Sequence, residues 1–360
     1  MHLSHKKPVI AVPMGDPSGI GPEIIVKALT DPELAELCKP VVFGEPAVFE
    51  AIQSLCGTSL PLRIVKSPSD PAYEPGALNI VPSERTLTGY ESTWPPMEGL
   101  VPTPGVVSPW SGAMAHGAII KAVEYAKSGE VDALATTPIN KEAIKAAGIP
   151  CIGHTELLGE LTGSPDPLTL FQVFGLRIFF LTRHVSLRKA CDLVTRERLF
   201  DYIPRCLHEL TALGLKSPFM AIAGLNPHSS DNGLFGDEEN AIIKPALEEL
   251  KRKGYNITGP VPADCVFHQA LNGKYDAVLS LYHDQGHIAS KMVDFERTIS
   301  LTLGLPFLRT SVDHGTAFDI AGKNSASSVS MTEAIRVAAE YCLRRTEVGY
   351  PPLATLAIRF

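Results

Sequence analysis

No stretch of the 360-residue chain approaches the roughly 18 consecutive apolar residues that a membrane-spanning helix needs. The N-terminus, Met1-His-Leu-Ser-His-Lys-Lys7, is too short and too polar for a secretory signal. Cysteine is sparse and unpatterned: the seven, Cys38, Cys56, Cys151, Cys191, Cys206, Cys265 and Cys342, contain no C-x-x-C pair. An odd, scattered set fits reduced thiols in cytoplasm better than a disulfide framework. No long Lys/Arg block offsets the formal net charge of −7, which argues against a general nucleic-acid binder. What remains is an intracellular globular protein without membrane or nucleic-acid partners. Its 45% hydrophobic and 20% charged residues are ordinary for that class. The length suits two domains, or one large α/β unit with an insertion.

Against that background, short apolar runs followed by histidines stand out. Tyr275-Asp-Ala-Val-Leu279 has the length and character of a strand, and Ser280-Leu-Tyr-His-Asp-Gln-Gly286 follows it. Leu176 to Leu181 leads in the same way to His184, and Met220 to Leu225 to His228. Open α/β sheets place ligands at the carboxyl ends of their strands. One imidazole there is usually a capping or packing residue. Three in the same context point to a trihistidine site for a divalent metal, with zinc, iron, cobalt and nickel suited to imidazole.

Other segments read as strands and helices in alternation. Pro8 to Met14 is a strand running into Gly15-Asp-Pro-Ser-Gly-Ile-Gly-Pro-Glu23, a turn a ligand can approach closely, then a helix from Ile24. Its spacing is not G-x-G-x-x-G, so no Rossmann fingerprint is assigned. Residues between Pro82 and Pro109, with Trp94-Pro-Pro96, read as a long connection. Ser111 is expected to cap a helix to about Ser128, and Ser186 a single long helix to about Leu213. Thr136, Thr137 and Lys141 either line a site or cap and flank the helix that follows. His154 and Thr155 open a helix, where free N–H groups suit an anion, although capping alone would explain Thr155.

Several motifs together carry a resemblance. His314-Gly-Thr-Ala-Phe-Asp-Ile-Ala-Gly-Lys323 resembles the adenosine-binding loop of isopropylmalate and isocitrate dehydrogenases, and Gly19-Ile-Gly-Pro-Glu23 resembles their N-terminal turn. With Gly153-His-Thr-Glu156, Asn226-Pro-His228, Tyr282-His-Asp-Gln-Gly286 and Thr302 to Ala317, the set is most similar to the 4-hydroxythreonine-4-phosphate dehydrogenases. The matches run in order over nearly the whole chain.

The resemblance implies an α/β, two-lobed fold with a crevice between lobes. Residues 1–135 with about 300–360 would form the nucleotide-binding lobe, and about 136–299 the metal, substrate and dimerisation lobe. It implies His184, His228 and His283 as metal ligands, and His154, Thr155, Lys291, Ser300 and Arg309 as substrate contacts. His314, Gly315, Thr316, Ala317, Asp319 and Ile320 would hold the cofactor, while Lys291 and Asp284 serve the chemistry. The cofactors implied are NAD in preference to NADP, and zinc or another divalent ion such as cobalt, magnesium, manganese or nickel. The reaction implied is oxidation of 4-hydroxythreonine-4-phosphate to a 3-oxo acid that decarboxylates, in pyridoxal phosphate biosynthesis. The enzyme would be a cytoplasmic homodimer with its site near the interface.

Three departures bear on the substrate. Ser300 stands where the family carries an Asn, Ser229-Ser-Asp231 stands where it reads Ala-Gly-Glu, and His287-Ile288 follows Gly286. The last looks more like relatives that oxidise phosphorylated threonate or erythronate, or aromatic dihydrodiols. From another class, a metal-dependent lyase or hydrolase would keep the histidines but have no use for the His314–Lys323 loop.

Overall fold

The computed structural model describes residues 6–83, 101–150 and 153–349. Trp94-Pro-Pro96 and most of the connection expected around it lie outside the described residues. The chain divides into two compact units: residues up to Pro167 together with those from Gly304 onward, and Leu168–Leu303.

The first unit opens with β1 (Val9–Pro13), buried along its whole length, as a strand covered on both faces reads. α1 (Gly21–Ala28), α2 (Pro32–Leu37), β2 (Lys39–Gly44), α3 (Pro46–Cys56), β3 (Leu62–Ile64) and β4 (Leu78–Pro82) follow. Then come α4 (Pro109–Ser128), β5 (Ala133–Thr136), α5 (Lys141–Ala146) and α6 (His154–Thr162). Ser108, not Ser111, caps α4: its Oγ accepts from the Trp110 N–H at 3.2 Å, and Pro109 takes the first helical position, where its missing N–H is harmless. Ser111 is buried one turn in, its Oγ 2.6 Å from Ser18 Oγ. A Cβ on Gly112 would sit 2.1 Å from the Ala143 carbonyl oxygen, so only glycine lets α4 lie this close to α5. That packing, with α6 also against α4, puts residues 136–167 in the first unit and moves the boundary from the expected 135/136 to 167/168.

The second unit contains β6 (Leu168–Val173), β7 (Leu176–Phe180), α7 (Leu187–Asp192), α8 (Arg196–Ala212), β8 (Met220–Ala223) and α9 (Lys244–Arg252). β9 (Ile257–Val261), α10 (Ala263–Leu271), β10 (Ala277–Ser280), α11 (His283–Val293) and β11 (Ile299–Leu303) complete it. Its strands run β11-β6-β7-β10-β8-β9. β6 pairs antiparallel with β11 and β7, and the remaining pairs are parallel. Phe171, Ile178, Phe180, Phe267 and Val278 form the centre of its core. The single helix expected from Ser186 to Leu213 is two. Ser186 Oγ caps α7 through the Lys189 N–H at 3.3 Å, and Thr195 Oγ1 caps α8 through the Arg198 N–H at 3.2 Å. A threonine whose hydroxyl satisfies the new helix start makes the break cheap.

The chain then returns to the first unit with β12 (Leu308–Val312) and α12 (Val329–Glu347). Strands there run β3-β4-β2-β1-β5-β12, all parallel. The protein is α/β throughout, as its alternating pattern predicts. Among the described residues no helix is long and apolar enough to cross a membrane.

Candidate active site

In the second unit β10 lies between β7 and β8, parallel to both. The segments carrying His184, His228 and His283 therefore leave one end of the sheet, the carboxyl end where such folds bind ligands. His184 follows β7 in a loop, His228 follows β8, and His283 is the first residue of α11. The His184 and His283 ring centroids are 5.7 Å apart. Asp284 Oδ1 lies 2.7 Å from His283 Nδ1, a contact that favours the tautomer with its proton on Nδ1 and the lone pair on Nε2.

One turn along α11, His287 stacks on His283 with centroids 3.7 Å apart and planes 13° apart. Its ring also packs on Phe171 at 4.1 Å and Phe180 at 4.5 Å. Burial, then the charges of His283, Lys291 and His184, push its pKa down to about 4, so the ring is neutral near pH 7. His287 carried no metal or packing role in the reading of the sequence. Its spacing of four from His283 on a helix was the available signal.

His228 stands apart from that group. It begins five successive non-glycine residues, His228 to Asn232, with φ between 47° and 69°. Each left-handed residue costs roughly 1–2 kcal/mol, and strain of this kind clusters at ligand-holding segments. Among the described residues no three His, Cys, Asp or Glu side chains are gathered so as to hold a metal. His184 and His283 are thus brought together, and His228 shares their end of the sheet without joining them. The donor set fits an imidazole-preferring divalent ion: two imidazoles with ring centroids 5.7 Å apart, and His228 at the same end of the sheet as the third that would have to close on the ion. Lys291 lies two turns along α11, its Nζ 5.2 Å from the Phe295 ring centroid. Ser300 is on β11, opposite Phe171.

The first unit holds the other predicted contacts. Arg309 on β12 is buried, and its Nε and Nη2 donate to Thr136 Oγ1 at 2.9 and 2.7 Å. That hydroxyl in turn donates to the Thr310 carbonyl at 3.3 Å. Burial brings the Arg309 pKa down to about 9. His154 opens α6 with Nε2 buried and without a hydrogen-bond partner. Burial, followed by the charge of Arg309, holds its pKa well below the usual histidine value. A neutral imidazole and a guanidinium beside a helix start, where Thr155 is the second residue, have the chemistry to accept an anion. The threonines do not cap the next helix: Asn140 Oδ1 does, accepting from the Ala143 N–H at 2.9 Å. Thr137 instead donates to the Pro13 carbonyl at 2.9 Å. Lys141 is simply the first residue of α5.

The two glycine-rich motifs of the first unit meet. The Ile20 N–H donates to the Thr316 carbonyl at 3.0 Å, and a Cβ on Gly19 would lie 2.8 Å from Thr316. Glu23 Oε1 accepts from the Ala326 N–H at 2.9 Å. His314 Nε2 lies 2.9 Å from Ser330 Oγ and its Nδ1 3.0 Å from the Gly315 carbonyl. Lys323 Nζ donates to the Asp319 carbonyl at 2.6 Å. The stretch containing Gly315, Ala317 and Ile320 is therefore braced from α1 and α12.

Strand-end imidazoles in one unit, and a buried guanidinium with a braced glycine-rich loop in the other, are the chemistry-bearing features of this α/β fold. A family model described as pyridoxal phosphate biosynthetic protein PdxA matches residues 36–338, and the chain belongs to that family. A Clostridium botulinum protein provisionally named D-threonate 4-phosphate dehydrogenase is 52% identical over 339 residues, covering 94% of this chain and 98% of its own. The solved 4-hydroxythreonine-4-phosphate dehydrogenase of Klebsiella pneumoniae is 40% identical with a TM-score of 0.82, covering 93% of this chain and 100% of its own. A terephthalate 1,2-cis-dihydrodiol dehydrogenase from Burkholderia xenovorans LB400 is 29% identical with a TM-score of 0.62, covering 93% and 98%. The chain is an oxidoreductase of the dehydrogenase class acting on a CH–OH group. Membership implies an NAD(P)-type cofactor and, in general terms, a divalent metal.

Proposed function

We propose that the protein oxidises the C3 hydroxyl of a phosphorylated four-carbon hydroxy acid, with NAD and a divalent metal held by His184, His228 and His283. The observation that carries this reading is the His184–His283 pair at one sheet end, with Asp284 fixing the second ring. When bound, the ion supplies Lewis acidity toward the substrate hydroxyl and the nicotinamide supplies the hydride acceptor. The chain's own part is orientation and charge. Arg309, set by Thr136, takes a phosphate or carboxylate through its planar fork, and His154 and Thr155 add donors to the same anion. Lys291 contributes a second cationic head and Ser300 a hydroxyl. The 3-oxo acid so formed carries its carbonyl β to a carboxylate and loses CO₂.

Two substrates fit that description. The 52% identity to the Clostridium protein favours D-threonate 4-phosphate, ahead of the 4-hydroxythreonine-4-phosphate of the 40% identical solved enzyme. The order reverses the one drawn from sequence motifs, and the His287-Ile288 departure supports it.

The working form in this reading is a cytoplasmic homodimer, with the metal site completed near the interface. Ile288, Met292 and Phe295, exposed by 61, 80 and 70%, give the region of α11 an apolar surface suited to a second copy. The six described cysteines are free thiols, which suits a reducing compartment.

The deciding experiment follows NADH formation with both phosphorylated acids and a panel of Zn²⁺, Co²⁺, Ni²⁺, Mn²⁺ and Mg²⁺. Turnover of at least one acid with an added ion is expected. Absence of NADH under every combination overturns the reading.

A further inference from the structure

We propose that Arg183 selects a 2-hydroxy acid over the matching 2-amino acid. The inference rests on the phosphorylated-acid reading above and adds the residue that decides between its two substrates. Arg183 immediately precedes His184 in the loop after β7. With His184, Tyr282, His283 and Asp284 it lines a cavity of about 400 Å³. One arm is anchored, because Nη1 donates to Thr169 Oγ1 on β6. Among the described residues no carboxylate forms an ion pair with it. A guanidinium has five N–H donors and stays protonated. This one is half-buried, already oriented and, among the described residues, without a carboxylate partner, which leaves donors for an anionic ligand. Asp284, the acidic residue in the same lining, already has Oδ1 on His283 Nδ1.

The two candidate substrates share a phosphate, a C3 hydroxyl and a carboxylate, and differ at C2. D-threonate 4-phosphate carries a hydroxyl there, and 4-hydroxythreonine-4-phosphate carries an ammonium near neutral pH. A substrate whose C3 hydroxyl lies beside His184 and His283 brings its C1–C2 end into the cavity that Arg183 lines. The guanidinium attracts the carboxylate of both acids and repels the ammonium of one, so net attraction survives only for the hydroxy acid.

The test compares kcat and KM for both acids in the unmodified enzyme, Arg183→Gln and Arg183→Lys. The unmodified enzyme is expected to favour D-threonate 4-phosphate by at least about tenfold in kcat/KM. Arg183→Gln should lose about tenfold on that substrate, chiefly in KM, and lose little on the amino acid, so that the preference collapses. Arg183→Lys should recover part of the preference, because it keeps the charge. A preference within twofold of the unmodified value in Arg183→Gln overturns the proposal, as does an equal loss on both substrates. If Arg183→Gln does not fold, Thr169→Val, which frees the anchored arm, should still reduce the preference at least threefold, and an unchanged preference overturns the proposal. Failure of the unmodified enzyme on both acids is a different result and overturns the underlying reading.

Discussion

The His283 and His287 rings lie face to face, 3.7 Å apart, while Asp284 holds His283 from its edge at 2.7 Å. Two contacts at right angles fix the plane and the rotation of the ring that the proposed ion would meet. His184→Ala and His283→Ala are expected to lose most bound metal and nearly all turnover, with the fold intact. His287→Ala should weaken metal affinity about tenfold by freeing the ring, a loss in the range seen when supporting groups are removed. His287→Phe, which keeps an aromatic face, should stay within about threefold of the unmodified protein. Competition against a chromophoric chelator reads all four, and undiminished affinity in His283→Ala would remove the metal site from consideration.

Arg309 and Thr136 are 173 residues apart in sequence and joined by two hydrogen bonds to one hydroxyl. Thr136→Val keeps the volume and removes the acceptor of two hydrogen bonds from a buried guanidinium. It should raise KM for the phosphorylated substrate about tenfold with a smaller effect on kcat. Arg309→Lys keeps the charge, loses the planar fork and should do at least as much. Values of kcat/KM within about twofold of unmodified for both variants, a difference of only ~0.4 kcal/mol, would mean that Arg309 does not hold the substrate.

The strand-end histidines were legible in the sequence because each follows an apolar run whose period and length are those of a strand. Position along a strand says which end a residue reaches, so their common end of the sheet followed from topology alone. What the pattern could not supply was lateral placement. It takes the β7-β10-β8 order to put His184 beside His283, and the left-handed stretch from His228 to Asn232 has no signature in its residue types. Thr136 read equally well as a helix cap, because a threonine before a helix suits either role. Its partner Arg309 arrives through pairing of β5 with β12, which no local pattern encodes. The break before Thr195 was hidden because apolar spacing continues across it.

Asp16 sits fully buried in the turn after β1, with Oδ1 accepting from the Ser18 N–H at 2.8 Å. Burial raises its pKa to about 6, opposed by backbone hydrogen bonds from Ser18 and Asn140. The folded state therefore holds this proton more tightly than the unfolded chain, whose value is near 3.8. The contribution is fully present below pH 3.8 and is lost as pH rises through about 6. Asp16→Asn keeps an acceptor for Ser18 and does not titrate. Relative to it, the unmodified protein should lose about 2–3 kcal/mol between pH 4 and pH 7. Denaturant melts of both proteins across that range check this, and parallel stability curves would contradict it.

The last prediction concerns the nucleotide and rests on Asp319. In the resembled dehydrogenase loop, the position of this Asp lies beside the adenosine ribose. A carboxylate there can accept hydrogen bonds from both ribose hydroxyls, and it repels the added 2′-phosphate of NADP. The nearest basic residue along the loop, Lys323, is already committed: its Nζ donates to the Asp319 carbonyl at 2.6 Å. That bond closes the turn from Asp319 to Lys323 and draws the ammonium to the main chain. NAD should therefore exceed NADP by at least about tenfold in kcat/KM, a difference of ~1.4 kcal/mol. Asp319→Lys should narrow or reverse the ratio. Lys323→Met, which removes the brace but no carboxylate, should weaken both nucleotides alike and leave the ratio in place. Equal use of NAD and NADP by the unmodified enzyme would show that Asp319 does not face the ribose.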